Sequence, residues 1–166
     1  MNPGAVGLVF SEFVSVEGLS RGNRRSLEMC RCQPEETPFT VQLFGYDIGR
    51  IVEGALIAQD CGAACVDLNC GCPVPKVVRK GGGCELMRQA GHLAKMLAAL
   101  RGALRVPLTM KMRAGWDEGQ KNAVEIAKLA EECGVSAITI HARTCKQGYK
   151  GEVDWPIVEE LVAAVN

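Results

Sequence analysis

Five short runs of apolar and β-branched residues, each followed by a helix-like stretch, constrain this chain more than any other feature. They occupy residues 6–10, 39–44, 65–69, 106–112 and 136–141. After them come a helical stretch at about 18–32, a helix opened by Asp47 and closed by Gly62, a helix at about 85–100, one ended by Gly134, and a last one beginning near Asp154 and Pro156. Asp47 and Asp154 carry the short acceptor side chain that caps a helix start, proline suits a first turn, and glycine past the last apolar position ends a helix. The strand starts recur roughly every 32 residues, the size of a βα unit. Such alternation implies a parallel sheet.

Two parallel architectures fit: an open doubly wound sheet, or part of a (β/α)8 TIM barrel. Strand parity favours the barrel. A central strand covered on both faces tends to be apolar throughout, whereas four of these runs alternate. Val41 and Leu43 oppose Thr40 and Gln42, and Val66 and Leu68 oppose Asp67 and Asn69. Leu108, Met110 and Met112 oppose Thr109, Lys111 and Arg113, while Ile138 and Ile140 oppose Thr139, His141 and Arg143. Residues of one parity share one face. With the apolar sets against helices, Gln42, Asn69, Lys111, Arg113, His141 and Arg143 point inward at one rim, where barrel enzymes place their chemistry. The competing arrangement is a half-exposed sheet with scattered polar residues. A whole barrel takes about 200–250 residues. This α/β chain has 166, so its five units make a partial barrel.

With 48% hydrophobic and 23% charged residues, the chain has the balance of one globular domain. No apolar run approaches the ~18 residues of a membrane span, and Met1 to Phe10 lacks the charged start of a signal peptide. The nine cysteines are odd in number and not spaced as a small disulfide scaffold. That fits a reducing compartment, the cytoplasm or an organelle. Basic and acidic residues balance at 19 each, yet they are segregated. Residues 70–150 hold 14 Lys/Arg against 6 Asp/Glu, and the segments on either side are each acidic by 4. Lys76, Arg79, Lys80, Arg143, Lys146 and Lys150 lie in the basic loops. They would meet a phosphate-rich partner or belong to solvated helix faces.

Asn69-Cys70-Gly71-Cys72-Pro73 ends the third run and places Cys72 in a tight loop over the rim, as a nucleophile, metal ligand or proton donor. Cys30, Cys32, Cys61, Cys65, Cys84, Cys133 and Cys145 read as small apolar fillers. Zinc would need two close cysteine pairs at a suitable separation. Cys61 and Cys65 instead straddle a helix end and a strand start, so no metal is expected. An inward Lys111 needs an anion or an electron-rich ligand. It shares parity and rim position with His141 on the next strand, and the two suit a planar anionic ligand such as a flavin ring. Gly81-Gly82-Gly83 lacks the Lys-Ser/Thr that completes a phosphate-binding loop, and reads as a flexible turn.

Asn69-x-Gly71-Cys72-Pro73-x-x-Lys76-Val77, followed by Gly81-x-Gly83-x-x-Leu86, resembles the signature loop of the tRNA-dihydrouridine synthases. Lys111-x-Arg113-x-Gly115 resembles that family's next motif, and His141-x-Arg143-Thr144 with Tyr149-x-Gly151 and Asp154-Trp155 the one after it. Ser11-Glu12 and Gln42-Leu43-x-Gly45 resemble its earlier ones, so the likeness covers essentially the whole chain. It is similar to the bacterial-type branch in particular.

The resemblance implies an FMN-dependent barrel that reduces the C5=C6 bond of uridine in tRNA to dihydrouridine, with NADPH as reductant. By the same resemblance, Cys72 is the acid that protonates C5 while reduced flavin delivers hydride to C6. Gln42, Lys111 and His141 would hold the flavin ring, Asn69 and Arg113 would position the uracil, and Arg143 would lie near a substrate or flavin phosphate. The loops Lys76 to Lys80 and Lys146 to Lys150 would face tRNA phosphates. Family members also have a preceding strand, two further strands whose loops bind the flavin phosphate, and a carboxyl-terminal helical domain that grips tRNA. Against that pattern, residues 1–166 correspond to strands 2 to 6 of the catalytic barrel, without its first and last strands or the helical domain. Two other readings stay open: an inactive truncated remnant acting as a binding module, and another FMN barrel that reduces a free pyrimidine.

Overall fold

The computed structural model describes residues 6–166. Residues 1–5, the start of the stretch considered for a signal peptide, lie outside the described residues. The run at 6–10 is a strand only at its end, β1 (Val9–Phe10), and a second short strand, β2 (Val14–Ser15), follows beyond it. Both pair in parallel with β3 (Phe39–Phe44), β1 along its start and β2 along its end. Between them the Ser11 hydroxyl accepts from the Gln42 amide at 3.0 Å, a side chain standing in where the ladder is interrupted. The helical stretch at 18–32 is likewise divided, into α1 (Val16–Ser20) and α2 (Arg24–Met29). Asn23 causes the division by capping a new helix, its side chain accepting from the Ser26 amide at 3.1 Å.

From β3 the chain alternates regularly. It runs through α3 (Ile48–Asp60), β4 (Cys65–Cys70), α4 (Pro75–Val78), α5 (Ala90–Ala103), β5 (Leu108–Arg113), α6 (Ala123–Glu132), β6 (Ala137–His141) and α7 (Trp155–Ala164). Residues 85–88, expected to open the α5 helix, belong instead to a separate 3-10 turn, Gly83–Arg88. Asp47 caps α3 by accepting from the Arg50 amide at 2.9 Å, and Asp154 caps α7 by accepting from Ile157 at 3.3 Å.

All strands are parallel, in the order β1-β3-β4-β5-β6, with β2 also on β3. The apolar parity meets the helices. Val41, Leu43, Val66, Leu68, Leu108 and Met110 are at most 1% exposed and pack with Ile51, Ala55, Leu93, Leu97 and Ile126 in one core. Full burial of each large aliphatic chain contributes about 1.5–3 kcal/mol. That driving force turns the other parity away from the helices, toward the hollow side. The result is a partial (β/α)8 barrel. At β6 the curved sheet stops, and Ala137 and Thr139 are exposed. Among the described residues no helix is long and apolar enough to cross a membrane.

Candidate active site

Parallel pairing sets the polar parity in rows across the hollow side. Gln42, Asp67 and Thr109 lie level in one row, Asn69, Lys111 and Thr139 in the next, and Arg113 beside His141 nearest the rim. The first row is closed on itself. Asp67 is buried, and its carboxylate accepts from Thr109 Oγ1 at 2.6 Å and from Gln42 Nε2 at 2.7 Å. Burial pushes the Asp67 carboxyl pKa up, opposed by these two hydrogen bonds and by the charge of Lys111. Gln42 Oε1 accepts in turn from Asn69 Nδ2 at 2.7 Å. Asn69 Oδ1 then accepts from the backbone amides of Gly71 at 3.1 Å and Cys72 at 2.9 Å.

That loop carries Cys72, which is only 8% exposed. The glycine run behind it is packed, where the sequence suggests flexibility. Gly83 has φ of 60° and lies so near Cys72 that a Cβ would strike the Cys72 carbonyl. A Cβ on Gly81, at φ of 85°, would enter the Tyr46 ring, which stacks on His92 at 4.2 Å. Both positions need a backbone that only glycine adopts without cost. The Cys84 amide donates to the Cys72 carbonyl at 3.1 Å, and the Cys84 thiol to the Gly71 carbonyl at 3.2 Å. All nine cysteines are free thiols; Cys30, Cys65, Cys84 and Cys145 are buried, while Cys32, Cys61 and Cys133 are half-buried. Among the described residues no group of three or more His, Cys, Asp or Glu is placed to hold a metal.

Arg113 is 2% exposed and turns its Nε and Nη1 to backbone carbonyls. Its Nε donates to the Gly71 carbonyl at 2.8 Å, and its Nη1 to those of Gly148 at 2.7 Å and Thr144 at 3.2 Å. The guanidinium thus ties the loop after β4 to the loop after β6, 5.5 Å from the centre of the Tyr149 ring. Lys111 is half-buried; burial and the Arg113 charge push its ammonium pKa down, and Asp67 pulls it up. Burial, followed by the charges of Arg113, Lys111 and Arg143, holds the His141 pKa below 6.5. The shift favours the neutral imidazole.

Gln42, Asn69, Cys72, Lys111, Arg113 and His141 surround one cavity of about 250 Å³. Arg143 is not in its lining. It stands behind His141, with Nη1 at 3.3 Å from the ring Nε2 and Nε donating to the Gly151 carbonyl at 3.1 Å. Of the basic loops, Lys76, Arg79 and Lys80 are exposed, whereas Lys146 is paired with Asp117 at 2.7 Å. Sequence reasoning passes over Asp67 and Thr109 as site residues, although their parity was the available signal. Phe13 joins the lining from the distant end of the chain, and nothing local in the sequence announces it.

The polar atoms still open to the cavity are mainly donors. The acceptor oxygens of Asp67, Gln42 and Asn69 are engaged, leaving one N–H on each amide and the Lys111 ammonium. Such a wall suits a planar ligand whose edge is rich in acceptors or carries negative charge. The one thiol in the lining is Cys72.

Residues 2–166 match the family profile described as dihydrouridine synthase. A probable tRNA-dihydrouridine synthase of Rickettsia bellii is 41% identical over 161 residues, covering 96% of this chain and 49% of the relative. One from Rhodobacter capsulatus is 42% identical over 96% of this chain and 50% of its own length. A tRNA-dihydrouridine synthase B from Xanthomonas axonopodis pv. citri is 35% identical, over 96% and 48%. The chain thus spans about half the length of the curated relatives it matches. Among solved structures, mandelate oxidase aligns with a TM-score of 0.55 at 18% identity, covering 95% of this chain and 44% of that one. Phosphonopyruvate hydrolase aligns with a TM-score of 0.55 at 16% identity, over 95% and 71%. At such identities the likeness speaks for the fold alone.

Proposed function

Because this chain belongs to the dihydrouridine synthase family, we propose that its rim cavity is the uridine-reducing site of a flavin-dependent tRNA-modifying enzyme. One observation carries the reading: a single thiol, Cys72, shares a cavity with a wall of hydrogen-bond donors that includes Lys111. Gln42, Lys111 and His141 would hold the acceptor-rich edge of FMN, where the lysine cation would favour negative charge. Bound FMN, kept reduced by NADPH, supplies hydride for C6 of the uracil. The spare N–H of Asn69 holds a uracil carbonyl. Cys72 Sγ holds the proton that C5 receives, so one hydride and one proton saturate the bond. Arg113 keeps the two rim loops in place and lends positive charge beside the uracil, while Arg143 reaches a phosphate of substrate or cofactor. Lys76, Arg79 and Lys80 meet the tRNA backbone, and the enzyme works where tRNA is modified, in the cytoplasm or an organelle.

The test uses the full protein that carries these residues, loaded with FMN and given NADPH with either unmodified tRNA or free uracil. A two-hydrogen mass gain on tRNA uridines, dependent on NADPH, is the expected result. Reduction of free uracil with tRNA left untouched would favour a pyrimidine reductase. Loss of FMN on desalting, with neither substrate reduced, would favour a binding module.

A further inference from the structure

We infer that Asp67 is a positioning residue for Cys72, acting through the side chains of Gln42 and Asn69. The inference rests on the site reading above and adds to it a residue that touches neither thiol nor ligand. Asp67 is 1% exposed and absent from the cavity lining. Its two bonds, to Thr109 Oγ1 at 2.6 Å and to Gln42 Nε2 at 2.7 Å, aim it at the hydrogen-bonded chain that ends on the Cys72 amide.

The two ends of this chain determine its polarity. Asp67 Oδ2 accepts from Gln42 Nε2, which turns the Gln42 oxygen toward Asn69. Backbone N–H groups only donate, so Asn69 must turn its oxygen to Gly71 and Cys72 and its NH2 toward Gln42. The two requirements agree at the 2.7 Å contact between the amides. Removing the carboxylate frees Gln42 to rotate. A rotated Gln42 offers NH2 to the NH2 of Asn69, and the Asn69 oxygen is then no longer held under the loop. The same polarity leaves one N–H of each amide for the ligand. Asp67 therefore acts on the thiol's position and on the donor character of the wall together.

An asparagine can play the same part without the charge. Its oxygen would accept from Gln42, and its NH2 would donate to the Thr109 hydroxyl, which accepts as well as donates. Alanine has no such option. Asp67→Asn and Asp67→Ala in the full protein therefore separate position from charge. Amide hydrogen exchange at Gly71 and Cys72 reports the loop directly, without needing turnover. We expect Asp67→Ala to speed exchange at both amides at least tenfold while Val66 and Leu68 stay protected, and Asp67→Asn to remain within threefold of the parent. Gln42→Met breaks the middle of the chain with Asp67 intact and should match Asp67→Ala, which keeps the test available if that variant fails to fold. Unchanged exchange at Gly71 and Cys72 in Asp67→Ala, or in Gln42→Met, overturns the inference. So does an Asp67→Asn that exchanges as fast as the alanine variant. A parent protein that reduces no tRNA, with the exchange pattern as expected, refutes the functional reading and leaves the positioning intact.

Discussion

On the β3–β4 flank of the inner wall, Gln42, Asp67 and Asn69 hydrogen-bond one another and the Cys72 loop, and all three are buried. On the β5–β6 flank, Lys111 and His141 are half-buried, and burial, followed by neighbouring positive charges, pushes both pKa values down. On the first flank the acceptors already have partners, and one N–H of Gln42 and one of Asn69 are what it offers a ligand. The second has charge waiting for one. Fixed geometry on one side and unbalanced cation on the other is an economical way to bind an electron-rich ring and aim a thiol at it. Burial alone does not separate the flanks, since Arg113 belongs to β5 and is as closed as Asp67. Arg113 is the exception on its flank, with Nε and Nη1 committed to three loop carbonyls.

The contrast can be broken at the point where the flanks meet. Cys72→Ala should lower tRNA reduction by about 10²–10⁴-fold, the usual weight of a general acid, with flavin content unchanged. Reduction at the parental rate, followed by mass spectrometry of the tRNA, would place the proton elsewhere. On the committed flank, Asn69→Ala removes the acceptor for two loop amides and the donor for Gln42. Its expected cost is about 1–3 kcal/mol of stability, read from the urea midpoint; no shift in that midpoint would erase the difference between the flanks.

Lys111→Met probes the open side. It should weaken FMN binding about tenfold, or about 1.4 kcal/mol, while the urea midpoint stays or rises, since a partly desolvated ammonium is removed. Calorimetric titration with FMN checks the affinity. A fall in stability with affinity intact would reverse the roles of the two flanks.

The smallest effect concerns pH. The folded pKa of His141 lies below the 6.5 of an unperturbed histidine, so the unfolded chain takes up the proton first as pH falls. His141's contribution to stability is thus full above about 6.5 and is lost between 6.5 and the lower folded value. Proton NMR of the imidazole should give a midpoint below 6.5, and Lys111→Met should move it upward by removing a repelling charge. A midpoint at or above 6.5 would mean that a negative group faces the ring.

Alternation with a period of two determined which side chains share the inner face, because the pleat is a local property of the backbone. Gln42, Asn69, Lys111, Arg113 and His141 could be assigned to that face on this ground alone, and Asp47 and Asp154 to helix starts by their capping chemistry. The signature around Cys72 likewise announced its family without coordinates. Register was decided only in three dimensions. Asp67 stands level with both Gln42 and Thr109 because the intervening helices and loops set how far each strand slides along its neighbour, and no local pattern encodes that distance. Lys111 and Arg113 make the same point on a single strand. In sequence they are two cations of equal parity, but folding brings the carbonyls of Gly71, Thr144 and Gly148 to Arg113 and leaves Lys111 facing the cavity. Those partners lie 31 to 42 residues away in the chain. Which charge became a structural tie and which stayed free for a ligand therefore depended on long-range packing.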